Sequence, residues 1–427
     1  MLADNLYPKK VKPTLLMLFN SMTRKFEEFL PFNDRKVKMY TCGPSIYLLP
    51  HIGNYRTFLY EDILFRYLEY LGYDVERALN ITDAEDKAIA EAEKEDMTLK
   101  QLAERNSKIF LEELKKLGAK PPTYLPKSSS SVEQAVSMIE ALLRKGYAYW
   151  YKDNVYYDPL KFKNFGRLYG LDMNRWPKEK RRFHKDTYPG NRWNLGDFIL
   201  WHGYQKEDKE VYWNTSLGKG RPAWNAQDPA MATQTLDFKV DIYCGGVDNL
   251  IRHHDYVIAV VESVTDELFA RFWLHGEHLF VDGKKMSKSR GNIIYPKDLV
   301  EKGCQWRHIR FFLINGYYRK RLNFTYKKFK TVCDRLHEFK DMMKKLQSVK
   351  TTNIKSSQKT KRLVAKLKED FEENMNNDLH VKKAFDVIFN RVSKLVALAK
   401  RGRVSREDTE EVMAVLKSID QVLQVIF

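Results

Sequence analysis

Residues 37–71, VKMYTCGPSIYLLPHIGNYRTFLYEDILFRYLEYL, decide how this chain folds. Val37 to Thr41 alternates apolar and polar side chains and runs into Cys42-Gly43-Pro44, which reads as a strand ending in a turn. From Phe58 onward, Leu59, Ile63, Leu64, Tyr67, Leu68 and Leu71 recur at helical spacing. Strand, loop and helix in that order make the first unit of a doubly wound parallel sheet, with His51-Ile52-Gly53-Asn54 where the helix begins. Phosphates bind at such strand ends and helix N-termini, because free backbone N–H groups and the helix dipole point at them. Val75 to Ile81 reads as the next strand and leads into Asn80-Ile81-Thr82-Asp83.

Far downstream, Lys285-Met286-Ser287-Lys288-Ser289, followed by Gly291, makes a small, positively charged loop. Such a loop suits a triphosphate, whose charge must be neutralised while pyrophosphate leaves. The upstream motif supplies the imidazole of His51, the close backbone approach of Gly53 and the amide donor of Asn54. Taken singly, the first motif is a short string and the second a solvated lysine face. Taken together and in this order, they point to ATP.

A chain of 427 residues with 43% hydrophobic and 13% aromatic side chains buries a large core in several domains. No apolar run is long enough to span a bilayer, and Met1 to Leu16 has no signal-peptide core, so no membrane partner is expected. Cys42, Cys244, Cys304 and Cys333 form no CxxC pair, which argues against a disulfide scaffold or zinc finger and for a reducing, cytoplasmic setting. The net charge of +18 favours a polyanionic partner without choosing among RNA, DNA and other anions.

The fold expected is α/β: a Rossmann-type parallel sheet, an insertion and a C-terminal α-helical bundle. Residues 1–120 form the first half of the nucleotide-binding domain and 216–276 the second, where Val240 to Tyr243 and Arg271 to His275 read as strands. Between them, 121–215 is an insertion. It opens with prolines and Ser128 to Ser131, then has a helix at Val132 to Lys145 and aromatic strands at Ala148 to Tyr151 and Asn154 to Tyr157. A basic loop, Pro177 to Lys185, follows. Residues 277–330 hold the lysine loop. The bundle, 331–427, contains a Ser/Thr/Lys-rich linker at Thr351 to Lys361 and helices at Leu363 to Asn374, Val381 to Lys400 and Glu410 to Val425.

The two ATP motifs resemble the signatures of class I aminoacyl-tRNA synthetases, with their HUP-like sheet. Further motifs resemble the cysteinyl-tRNA synthetase family in order and spacing: Cys42 to Tyr47, Pro50 to Asn54, Asn80 to Asp83, Gly220 to Trp224, Gly245 to Asp248 with His253-His254, and Trp273 to His275. Arg310 to Leu313, Tyr318-Arg319 through Phe324, and Met375 to Asp378 continue the match. The resemblance implies that His51, Gly53 and Asn54, with Lys285, Met286, Ser287 and Lys288, bind ATP and its Mg2+. His51, Asn54, Lys285 and Lys288 would be catalytic, the lysines stabilising departing pyrophosphate. Asp248 would hold the substrate α-ammonium, and Thr82 and Trp224 would line the side-chain pocket.

In that family, cysteine is selected by a zinc ion held by two cysteines, a histidine and a glutamate. Cys42 is present here and His253 stands at the histidine position. Asp228 replaces the second cysteine and Val257 the glutamate. Three readings stay open. Cys42, Asp228 and His253 bind Zn2+ and the substrate sulfur completes the shell. Or a metal-free pocket selects cysteine by size and hydrogen bonding. Or Asp228 binds a different small or polar amino acid. His254, Asp255 and Cys244 are neighbours in sequence, but neither spacing nor resemblance adds them to the ligand set.

Most members of the family continue past the bundle into a small anticodon-reading domain. This chain ends at Phe427, with little beyond the bundle. Anticodon recognition is then expected from the bundle surface, or is missing. The leading expectation is a monomeric cysteine–tRNA ligase-like enzyme that adenylates an amino acid, cysteine first, and charges tRNA. One alternative adenylates an amino acid but acylates a non-tRNA acceptor, as the mycothiol-pathway ligase does. An alternative of another class is a non-catalytic RNA-binding protein.

Overall fold

The computed structural model describes residues 15–172, 197–349 and 357–427, and the backbone but not the side chains of Ile251, Arg252 and Lys288. The basic loop Pro177 to Lys185 and the linker from Thr351 to Ser356 lie outside the described residues.

The central sheet has four parallel strands in the order Ala270–Gly276, Val240–Gly246, Lys36–Thr41 and Asp74–Leu79. Met39 lies opposite Ile242, and Ile242 opposite Phe272, and all three enter one apolar core with the helix Ile52–Tyr70. Their neighbours Tyr40, Tyr243 and Trp273 enter a second core on the other face, because successive strand residues point to opposite sides. Their rings form a stacked ladder, Tyr40 on Tyr243 and Tyr243 on Trp273, each at 4.7 Å between centroids. Covered on both faces, the sheet buries every residue toward the carboxyl ends of Lys36–Thr41 and Asp74–Leu79, while Lys36, Lys38, Asp74 and Glu76 stay at least partly exposed at their starts.

A five-stranded antiparallel sheet packs against this second core, in the order Ala148–Tyr151, Asn154–Tyr157, Phe198–Gly203, Gly218–Pro222 and Trp213–Thr215. A smaller sheet pairs Leu279–Val281 with both Leu322–Phe324 and Lys284–Lys285, and so carries the lysine loop at its edge. Among the described residues six helices run from Pro296 onward: Pro296–Glu301, Trp306–Ile314, Tyr326–Gln347, Gln358–Met375, Val381–Ala399 and Arg406–Leu423. Among the described residues no helix is long and apolar enough to cross a membrane. The four cysteines are free thiols.

Candidate active site at the carboxyl end of the parallel sheet

The helix Ile52–Tyr70 starts beside the carboxyl end of the strand Lys36–Thr41, and its N-cap is His51. His51 Nδ1 accepts from the backbone N–H of Gly53 at 3.1 Å and of Asn54 at 3.2 Å, while Asn54 Oδ1 accepts from His51 N–H at 3.0 Å. This capping box fixes the tautomer: with Nδ1 accepting, the ring proton sits on Nε2. Burial pulls the His51 pKa below the usual imidazole value, against smaller upward pulls from the backbone hydrogen bond and Asp248. A neutral ring thus offers an N–H donor, and the cap engages Asn54 through its Oδ1 and not through its amide N–H groups.

The lysine loop meets this helix end. Ile52 N–H donates to Ile294 O at 3.0 Å. A Cβ on Gly53 would lie 2.6 Å from Met286 Cε, so the helix start and the loop touch where only glycine fits without displacement. Asn292 closes the loop, with its Oδ1 accepting from Ser287 N–H and its Nδ2 donating to Lys285 O. Lys285 is exposed, its Nζ 3.5 Å from His278 Nε2. The backbone of Lys288 lies in a short 3-10 turn, Lys288–Arg290. Asp248 is exposed on the turn after the strand Val240–Gly246, and its charge reaches both His51 and His278.

The second half of the pocket is buried. Cys42 leaves its strand toward the core that contains Tyr40 and Tyr243, and Cys244 enters the opposite core, giving only its carbonyl to Cys42 N–H at 3.2 Å. Asp228 comes from the helix Trp224–Leu236, and His253 and His254 from the π-helical turn Leu250–His254. Cys42 Sγ stands 3.7 Å from His253 Nε2, 3.2 Å from His254 Nε2 and 3.8 Å from Asp228 Oδ2. Asp228 Oδ2 also lies 2.7 Å from His253 Nε2. Trp224 stacks on His253 at 4.2 Å. Asn80 bridges the group, accepting from Gly43 N–H at 2.7 Å and facing both Thr82 Oγ1 and Asp228 Oδ1 with its Nδ2. Asp255 turns away, accepting from Leu168 and Tyr169 N–H.

Cys42, Asp228, His253, Thr82 and Trp224, singled out in the sequence, therefore gather around one buried point. His254, left out by spacing and resemblance, is nearer Cys42 than His253 is. An α-helix turns consecutive residues about 100° apart. The wider π turn reduces that angle and lets neighbouring imidazoles face one sulfur, and no periodicity in the sequence announces such a bulge.

The donor set fits a zinc ion. Sulfur and imidazole nitrogen are its preferred ligands, and the Cys42, His253 and His254 donor atoms all lie within 4.8 Å of one another. Burial holds the Cys42 thiol pKa well above, and the His254 pKa well below, their ordinary values. The imidazole is thus already in its ligand form. The phenol oxygens of Tyr40 and Tyr243 are buried beside this group, Tyr243 within hydrogen-bonding reach of both Tyr40 and Cys42, and both phenols feel the charges of Cys42 and Asp228.

Comparison with known proteins agrees with this architecture. Residues 28–334 match the family described as the class I (C) tRNA synthetase catalytic domain. Methionyl-tRNA synthetase of Mycobacterium tuberculosis, solved with methionyl-adenylate, shares the fold at a TM-score of 0.66. That match covers 92% of this chain and 90% of that one, at 15% identity. The chain belongs to the class I aminoacyl-tRNA synthetases.

Sequence narrows this further. A cysteine–tRNA ligase of Brachyspira hyodysenteriae is 35% identical over 96% of this chain and 86% of its own length. One from Chlamydia pneumoniae is 36% identical over the same shares. The chain is a member of the cysteine–tRNA ligase family, and so a ligase.

Proposed function

We propose that this enzyme activates cysteine with ATP and transfers the cysteinyl group to the 3′ end of a tRNA. The observation that carries the reading is the meeting of the two phosphate motifs at one helix N-terminus, through Ile52 N–H to Ile294 O and Met286 against Gly53. A cysteine carboxylate oxygen attacks the α-phosphorus of Mg2+-bound ATP. The bond from the α-phosphorus to the bridging oxygen breaks, and pyrophosphate leaves. His51 Nε2–H and the Asn54 amide donate to the phosphates, and Lys285 and Lys288 stabilise the charge that develops on pyrophosphate. Asp248 holds the α-ammonium. Thr82, Trp224, Cys42, Asp228 and His253 receive the side chain. Zn2+ bound in that pocket supplies a soft Lewis acid for the substrate sulfur. A ribose hydroxyl of tRNA then attacks the carbonyl carbon of the adenylate, and AMP departs.

In this reading residues 1–120 and 216–276 bind nucleotide and amino acid, and 277–330 carries Lys285 and Lys288. The insertion 121–215 and the bundle 331–427 face tRNA in a cytoplasmic monomer. Lys359, Lys361, Arg362, Lys366 and Arg391 line a groove on the bundle, which supports docking of an RNA backbone. ATP–pyrophosphate exchange over the twenty amino acids, followed by charging of total tRNA, tests the proposal. Cysteine-dependent exchange with charged tRNA is the result expected. Exchange with no amino acid would overturn activation, and cysteine exchange without charging would move the acceptor to a small molecule.

A further inference from the structure

We infer that Cys42, His253 and His254 are the protein ligands of a Zn2+ site, with His254 filling a ligand position and His275 orienting it. The inference rests on reading this pocket as the amino-acid site, and it replaces Asp228 as the third ligand. Three observations carry it.

The first is geometry. A tetrahedral zinc with bonds of about 2.3 Å to sulfur and about 2.0 Å to nitrogen separates those donors by roughly 3.5 Å. Cys42 Sγ lies 3.2 Å from one imidazole Nε2 and 3.7 Å from the other. Asp228 Oδ2 lies 2.7 Å from His253 Nε2, a hydrogen bond that Nε2 gives up with its proton when it binds metal, and Asp228 does not join the mutually close set of Cys42, His253 and His254. From beside the ligands its carboxylate balances charge: Zn2+, one thiolate and one carboxylate sum to zero, so an added substrate thiolate meets no excess negative charge. Three protein ligands also leave the fourth position open, as sites that bind substrate directly require.

The second is a chain of ring nitrogens behind His254. His254 Nδ1 lies 2.7 Å from His275 Nε2, and His275 Nδ1 lies 2.8 Å from Ser21 Oγ. With the lone pair of His254 Nε2 turned to the metal, Nδ1 carries the proton and donates it to His275 Nε2. His275 Nδ1–H then donates to the Ser21 hydroxyl. One tautomer assignment satisfies every link, which is how outer partners fix a ligating histidine.

The third is the backbone that presents the pair. The π turn Leu250–His254 supplies both histidines, and both side chains are buried. His253 is held flat against Trp224 and His254 leans on Trp273.

The deciding measurement is X-ray absorption on the unmodified protein loaded with Zn2+. One sulfur and two imidazoles around zinc are expected. A single imidazole with an oxygen donor in its place, or no stoichiometric zinc, overturns the inference. In the Co2+-loaded protein, His254→Gln should bind the metal at least tenfold more weakly, and unchanged affinity in that folded variant also overturns it. His275→Phe should weaken Co2+ by about tenfold and shift the ligand-field bands, which a packing defect alone would leave in place. These readouts need no turnover, so an intact two-histidine site in a protein that fails cysteine exchange would sink the amino-acid assignment and leave the site standing.

Discussion

Gly53 governs how closely the two phosphate motifs approach. Its missing side chain leaves room for Met286 on one side and for His51, whose Cε1 would lie 3.0 Å from a Cβ, on the other. The methionine is flexible and can swing aside, but His51 is held by its two cap hydrogen bonds. Gly53→Ala should therefore raise the KM for ATP in pyrophosphate exchange by about tenfold. Stability should move by less than about 1 kcal/mol, since alanine favours the helix it would join. An unchanged KM would mean that the loop does not seat on this helix during catalysis. Lys285 stands exposed with Nζ near His278, free to reach a phosphate. Lys285→Ala and Lys288→Ala should each lower exchange by at least about tenfold while calorimetry finds cysteine binding nearly unchanged. Loss of amino-acid binding alone would misplace both lysines. At this scale the sequence speaks through residue type. His51, Gly53 and Lys285 were legible because phosphate chemistry needs those groups. His254 and His275 were not, because their roles depend on a π turn and on a contact between two separate segments.

Elements differ in how far their sequence announces them. The parallel strands and the hairpin Ala148–Tyr151 with Asn154–Tyr157 were legible, since apolar runs and aromatic alternation are direct consequences of burial on a sheet. The strand Gly218–Pro222 was not. Two glycines and a proline disfavour a strand, yet it sits between Phe198–Gly203 and Trp213–Thr215. A Cβ on Gly220 would lie 2.2 Å from His202 O, so tertiary approach selected the glycine. The helix Asp86–Lys94 shows a different dependence, on pH. Its N-cap Glu85 is 4% exposed and hydrogen-bonded by Ser45. Burial raises its pKa to about 7, with Lys87 pulling down and Asp86 and Asp228 pushing up. Between the unfolded value near 4.5 and about 7 the folded protein holds a proton that the unfolded chain has lost, so stability falls as pH rises through that window. Glu85→Gln removes this slope. Relative to the parent, the variant should gain on the order of 3 kcal/mol between pH 4.5 and pH 8, read from urea unfolding at each pH. Parallel stability profiles for parent and variant would show that Glu85 is ionised in the fold.

On the scale of the whole molecule, the helix that begins at the ATP motif is tied to the far end of the chain through buried charge. Arg310 is fully buried in the helix Trp306–Ile314. Its guanidinium donates to Asp62 Oδ2 at 2.6 Å, to Leu423 O at 2.7 Å and to Leu117 O at 3.1 Å. Arg66, on the helix Ile52–Tyr70, adds a second tie, to Asp62 and to Gln421 O. Burial alone would raise the Asp62 pKa, but Arg310 and Arg66 together hold it below the usual carboxylate value. A second hub closes the opposite side, where Asp378 accepts from Tyr317, Tyr318, Arg319 and the backbone N–H of Phe19. The C-terminal helices are thus joined by buried charge to the helix Ile52–Tyr70 in one knot and to the N-terminal strand Met17–Asn20 in the other. Breaking one partner of such a pair costs about 3–5 kcal/mol, because the survivor stays buried without its counter-charge. Arg310→Met fits the cavity but strips two carbonyls of their donor and leaves Asp62 only Arg66 and the Lys120 N–H, so urea unfolding should register a loss toward the lower end of that range. Hydrogen exchange should quicken first in Arg406–Leu423, whose last turn Arg310 anchors. Asp62→Asn combined with Arg310→Met should cost little more than Arg310→Met alone, since the pair acts as a unit. Additive losses, or unchanged exchange in the last helix, would mean that the bundle is held by its apolar surface and that the charges only fill space.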